Sequence, residues 1–209
     1  MRKTFVALTL LITASLPFIP LSYAQTPYKD MPKGVYNIDE THASVTWKVS
    51  HLGLSNYTAR FTKFDADLTF DPAKPEDSKL VATIDPTSIA TDYPYAEKKD
   101  FDKKLVEGKE WFNSKNFPKI TFESSKIEKT GDNKGTMTGN LTFLGVSKPI
   151  TFDVTFNGAM AQQPFSKKPT LGFSAEGTLK RSDWGMATYV PNIGDEVKVI
   201  IEAEFAKEK

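Results

Sequence analysis

Near the C-terminal end of the chain, Val197, Val199, Ile201, Ala203 and Phe205 share one parity, while Glu196, Lys198, Glu202 and Glu204 share the other. Successive side chains of a β-strand point to opposite faces, so a period of two buries one face and wets the other. A helix cannot sort the same residues this way, because its faces recur every 3.6 positions. The alternation returns throughout the chain. Ala43, Val45, Trp47, Val49 and His51 form one such face, with Ser44, Thr46, Lys48 and Ser50 opposite. Leu80, Ala82 and Ile84 form another, as do Met137, Gly139, Leu141 and Phe143. Ile150, Phe152, Val154 and Phe156 repeat it, followed by Leu171, Phe173, Ala175, Gly177 and Leu179. Tyr36 with Ile38, and Ile120 with Phe122, add two shorter strands. The pattern dictates an all-β chain.

One segment changes parity. Tyr57, Ala59 and Phe61 are odd, whereas Phe64, Ala66, Leu68 and Phe70 are even. If all seven face inward, one surplus residue sits near Thr62-Lys63, and such a β-bulge bends a long strand and increases its twist. The alternative is two separate strands. Asp71-Pro72, Gly131 to Gly135, Leu144 to Pro149 and Gly158 to Pro169 read as connections. A single short helix is expected where Asp92 and Pro94 open it, Phe101 and Leu105 stand four apart, and Gly108 ends it. Lys98, Lys99, Lys103 and Lys104 would be its solvated face. About eight antiparallel strands with one inserted short helix favour a β-barrel. Alternation alone fits a sandwich equally well; the long strands and short links favour closure.

Met1-Arg2-Lys3 leads into an apolar run from Phe5 to about Leu16, broken by Pro17 and Pro20, and Ser22-Tyr23-Ala24 precedes Gln25. This is the layout of a secretory signal peptide over residues 1–24, with cleavage between Ala24 and Gln25. Residues 25–34 read as a flexible lead-in and residues 35–206 as one domain. The first 24 residues carry two of the 27 basic residues and none of the 26 acids, so the remainder is close to neutral. That argues against nucleic acid and against a strongly electrostatic membrane binder as partners. There is no cysteine, hence no disulfide framework, no lipid-modified anchor and no soft-metal site.

The two histidines, His42 and His51, lie nine residues apart with opposite parity. On one extended strand they would be roughly 30 Å apart, so they cannot share a metal, and no metal site is expected. His51 ends an apolar face: it is either a histidine satisfied by a core hydrogen bond or a polar handle at the rim of a cavity. Nothing resembles a nucleophile elbow, a phosphate loop or a dinucleotide fingerprint, and no catalytic residue is assigned. Arg181-Ser182-Asp183-Trp184-Gly185-Met186 reads as a buried corner with a salt bridge, or else as a place where Trp184 and Met186 line a cavity mouth.

Several segments, in order, carry a resemblance to a known family. They are Tyr36-Asn37-Ile38-Asp39 with His42, Ser44 and Val45, then Val49-Ser50-His51-Leu52-Gly53. Thr83-Ile84-Asp85-Pro86, Phe117-Pro118, Gly139-Asn140-Leu141-Thr142 and Gly145-Val146-Ser147-Lys148-Pro149-Ile150 follow. Gly172-Phe173-Ser174-Ala175, Lys180 to Met186 and Gly194-Asp195-Glu196-Val197 complete a pattern that resembles the YceI-like, polyisoprenoid-binding family. One departure is the family's Arg-Asp-x-His-Leu run, where this chain has Lys99-Asp100-Phe101 and Lys104-Leu105.

The resemblance implies an extended antiparallel lipocalin-like barrel with an inserted helix. It implies periplasmic residence and a long isoprenoid lipid, a polyprenyl phosphate or an isoprenoid quinone, held in a hydrophobic tunnel. No cofactor is implied beyond that lipid. The expected cavity lining is Trp47, Val49, Tyr57, Phe61, Phe101, Leu105, Trp111, Phe112, Phe173 and Trp184, with His51 toward the head group. Transient membrane contact and a homodimer are compatible with this reading. Two others compete with it: a lipid-modifying enzyme using His51 as general base, and a packed structural or stress protein without a ligand.

Overall fold

The computed structural model describes residues 25–208; the signal-peptide reading, with its cleavage site after Ala24, lies outside them. Eleven strands join in one sheet. They are β1 (Gly34–Ile38), β2 (Ser44–His51), β3 (Ser55–Phe61), β4 (Phe64–Phe70), β5 (Lys79–Ile84), β6 (Ile89–Ala90), β7 (Ile120–Lys129), β8 (Lys134–Phe143), β9 (Val146–Met160), β10 (Thr170–Lys180) and β11 (Ile193–Lys207). One helix, α1 (Phe101–Glu107), lies between β6 and β7. β1 pairs with both β4 and β11, so the ladder closes on itself.

Three places in this ring are each shared by two strands. β11 pairs with β1 near its C-terminal end and with β2 along its N-terminal part. β4 and β3 continue beside that pair, and β5 and β6 beside those. The chain is therefore a closed antiparallel barrel of eight places, as the alternation and short links favour.

All three shared places bend at one level. From Ile38 to Ser44 the chain advances six residues, while its partners on β11 advance three, from Phe205 to Glu202. The surplus coils into a 3₁₀ turn, Glu40–His42, capped by Asp39, whose carboxylate accepts from the Thr41 amide at 3.0 Å. Between β5 and β6, Pro86–Ser88 makes a matching turn, with Asp85 accepting from the Thr87 amide at 2.9 Å. Between these two turns, the registers on either side of Thr62-Lys63 leave one residue surplus in β3–β4. This is the extra residue that the parity change demands. The ladder breaks there, so β3 and β4 are two strands laid end to end.

Two corrections concern the helix and the corner after β10. The helix starts at Phe101 rather than near Asp92, because Asp100 caps it by accepting from the Lys103 amide at 2.9 Å. Asp92 is engaged elsewhere, 2.6 Å from Arg60. Gly108 ends the helix as expected. Arg181, 3% exposed, takes four backbone carbonyls as partners instead of a carboxylate. Its guanidinium donates to Gly194, Met186, Thr188 and Ile193 at 2.8 to 2.9 Å, knitting the start of β11 and the loop before it to the end of β10. Asp183 faces Lys148 at 3.6 Å.

Candidate binding cavity

Inward side chains of this barrel do not fill it. They enclose a cavity of about 390 Å³, within the range of roughly 300–1,000 Å³ typical of small-molecule sites. One end is bordered by Tyr28, Phe156 and the β7–β8 hairpin, the other by Trp111, Met186 and Ile193 behind α1. Between them the wall is carbon: Leu68, Phe122, Leu141, Phe152, Val199 and Ile201 belong to the alternating faces of five strands. Polar neighbours gather at the ends, Glu128, Lys129 and Asn133 at the hairpin and Arg181 behind α1. Burial pushes the Arg181 guanidinium below its ordinary pKa, opposed by the charge of Asp195.

Close packing of the aromatic side chains shapes this wall. Phe122 and Phe152 meet edge to face, 5.5 Å between centroids, and Phe112 stands 5.6 Å from Phe61 and 5.8 Å from Phe143. Gly177 pairs with Phe152 across β10 and β9, and a Cβ there would lie 2.7 Å from the phenylalanine ring. Glycine therefore lets the Phe152 ring lie against the neighbouring backbone.

Of the residues expected from sequence, Trp47, Val49, Phe61, Leu105, Trp111, Phe112 and Phe173 stand in the cavity wall. The other four do not. His51 is exposed at the outer end of β2, where it pairs with Ile193 at the rim of the cavity without lining it. Tyr57 turns its hydroxyl to the Thr91 carbonyl at 3.5 Å and its ring edge-on to Phe101 at 6.1 Å. Phe101 in turn packs 5.4 Å from Tyr93. Trp184, 4% exposed, donates its indole N–H to the Leu141 carbonyl at 3.1 Å, a packed corner rather than a lining. Sequence reasoning did not single out Phe64, Leu68, Phe122, Phe152, Phe156 and Phe205, which also line the cavity. Their parity was the available signal.

Outside the barrel, Asp39, His42 and Glu204 bring potential ligand atoms within 4.8 Å of one another. The histidine already has a partner: its Nδ1 lies 3.0 Å from Asp39 Oδ2. Hydrogen bonding to Asp39, then the charges of Asp39 and Glu204, raise the His42 pKa above its ordinary 6.5. This arrangement, an ion pair when His42 is protonated, secures the turn between β1 and β2.

A family model described as the YceI-like domain matches residues 36–205. Protein YceI of Salmonella arizonae is 35% identical over 209 residues, covering 100% of both chains. Among solved structures, Burkholderia cenocepacia BcnA aligns with a TM-score of 0.68 at 29% identity, over 80% of this chain and 98% of its own. A polyisoprenoid binding domain from Saccharophagus degradans aligns with a TM-score of 0.62 over 85% of this chain and 100% of its own. At 13% identity that last likeness concerns the fold alone.

Proposed function

The chain belongs to the YceI-like domain family, and from that premise we propose that it is a periplasmic carrier of a long isoprenoid lipid. The ligand is a polyprenyl phosphate or an isoprenoid quinone, with its tail inside the barrel. One observation carries the reading: the cavity is walled almost entirely by carbon along its length, with most of its polar neighbours near its ends. A chain of repeating five-carbon units fits such a wall better than a compact polar metabolite does. Each buried methylene contributes about 0.8 kcal/mol, or roughly 3–4 kcal/mol gross per isoprene unit. A few units therefore offset an association cost of about 4–15 kcal/mol. Affinity rises with chain length and depends little on the head group. The signal-peptide pattern of residues 1–24 supports the periplasmic assignment. The domain from Saccharophagus degradans, described as polyisoprenoid binding, lends the reading support through its fold.

The reading is of a binder rather than an enzyme, with no cofactor besides the lipid. The test is organic extraction of the purified protein followed by mass spectrometry, together with titration by fluorescent prenyl probes of increasing length. A co-purified lipid spaced by five-carbon units, and tighter binding of longer probes, are expected. An empty extract combined with no probe binding overturns the carrier.

A further inference from the structure

At the α1 end of the barrel, two loops carry apolar side chains into solvent. Leu52 and Leu54 sit at the tip of the β2–β3 hairpin, and Tyr189 and Val190 in the loop before β11; all four are exposed, Leu54 to 85%. The loops form one surface. The Leu52 amide donates to the Asn192 carbonyl at 2.7 Å, and the Ile193 amide to the Tyr189 carbonyl at 2.8 Å.

Folding does not account for these residues. The turn from His51 to Leu54, closed by a 3.0 Å hydrogen bond, has positive φ at both central positions, 54° at Leu52 and 69° at Gly53. Asn-Gly is the sequence that adopts such a pair readily, and a leucine there is strained. Tyr189 is held the same way, at φ 61°. The β8–β9 hairpin offers a contrast: Leu144, at φ 49°, packs against the core, which compensates its strain. Leu52 and Tyr189 are mostly exposed in the same conformation, and strain that folding leaves unrewarded points to a function.

The surface borders the cavity. Tyr189 lies 6.1 Å from Trp111, ring to ring, and Trp111 and Ile193 both line the cavity. A lipid leaving at this end passes directly beneath Tyr189. Charge does not select an anionic partner, because Lys98, Lys99, Lys103 and Lys104 are interspersed with Glu97, Asp100, Asp102 and Glu107. No helix among the described residues is long and apolar enough to cross a membrane.

We propose that Leu52, Leu54, Tyr189 and Val190 form a membrane-docking tip that dips into a lipid bilayer and sets the α1 end of the cavity against it. The tip rests on the carrier reading, and the experiment keeps the two apart. Neutral phosphatidylcholine vesicles are floated with the protein at low salt and at about 0.5 M salt, where exposed charges are screened. A prenyl probe is titrated in parallel without vesicles.

The wild type floats at both salt concentrations. Leu52→Asn/Leu54→Ser lowers vesicle affinity by about tenfold or more per leucine and leaves probe binding unchanged. Asparagine suits the left-handed position, so that variant folds. Phe165→Ser, removing an 86% exposed side chain in the loop between β9 and β10, changes nothing. Wild type that binds the probe but does not float overturns the tip and leaves the carrier standing, as does a double variant that floats undiminished. Loss of flotation in Phe165→Ser equal to that in the double variant also overturns the tip. Absence of probe binding in the wild type overturns the carrier and the tip together.

Discussion

The Lys63 amide donates to Ser88 Oγ at 3.0 Å, fastening the surplus residue between β3 and β4 to the turn that separates β5 from β6. Ser88 is buried, and its hydroxyl donates in turn to the Asp85 carbonyl at 2.7 Å. Ser88→Ala removes this acceptor from the Lys63 N–H in a partly buried site. The expected cost is about 0.5–1.5 kcal/mol, read from urea unfolding with the circular dichroism spectrum unchanged. A loss within experimental error would show that the bend holds without this bond.

Arg181 replaces a stretch of sheet ladder with side-chain donors, since two carbonyls of the loop before β11, Met186 and Thr188, and two at the start of β11, Ile193 and Gly194, accept from one guanidinium. Arg181→Leu strands those carbonyls together and is expected to cost about 3 kcal/mol or more. Arg181→Lys recovers only part of this, because an ammonium lacks the planar fork that spans them. Chemical denaturation of the two variants should rank wild type above lysine and lysine above leucine.

Ala175 lies between Val154 and Ile201 on neighbouring strands and faces the cavity. Ala175→Phe places a ring in the space assigned to the lipid tail. Prenyl-probe affinity is expected to fall about tenfold or more, while stability changes by less than about 1.5 kcal/mol because the ring enters a void. Unchanged affinity would locate the ligand elsewhere.

The Asp39–His42 pair gives a pH signature. The His42 pKa is raised by its hydrogen bond to Asp39, so its contribution to stability is complete below pH 6.5 and is lost as pH rises through the folded value. Hydrogen bonding to Thr41, followed by that to His42, lowers the Asp39 pKa against burial, so its contribution is lost as pH falls from 3.8 through the folded value. An NMR titration should find the His42 midpoint above 6.5, returning toward it in Asp39→Asn. A midpoint unmoved by that substitution would remove Asp39 as the cause.

Much of the barrel was legible because its strands each present one apolar face. The parity change between Phe61 and Phe64 even located the bend in β3–β4. Similar changes, from Phe122 to Ile127 and from Phe156 to Ala159, mark the surplus Ser125 and Asn157, and these went unread. The two 3₁₀ turns share an Asp-x-Thr signature, Asp39-Glu40-Thr41 and Asp85-Pro86-Thr87, whose caps are local and readable. The cavity was less legible. Parity assigns a residue to the inner face but not to a height along the barrel. His51 and Tyr57 have the right parity, yet His51 stands at the rim without lining the cavity and Tyr57 packs against Phe101. Trp184 was lost to a partner distant in sequence, the Leu141 carbonyl.

The pairing of β1 with β11 has a further consequence. A sheet that ends in an open strand offers free N–H and C=O groups to any extended segment nearby, and assembly of like chains into fibres can begin there. Here the first strand is joined to the last, and the one terminal strand of the sheet is β6, two residues long. That stub is flanked by the Arg60–Asp92 ion pair. A protein rich in β-structure thereby offers its own copies few unpaired strand edges to extend.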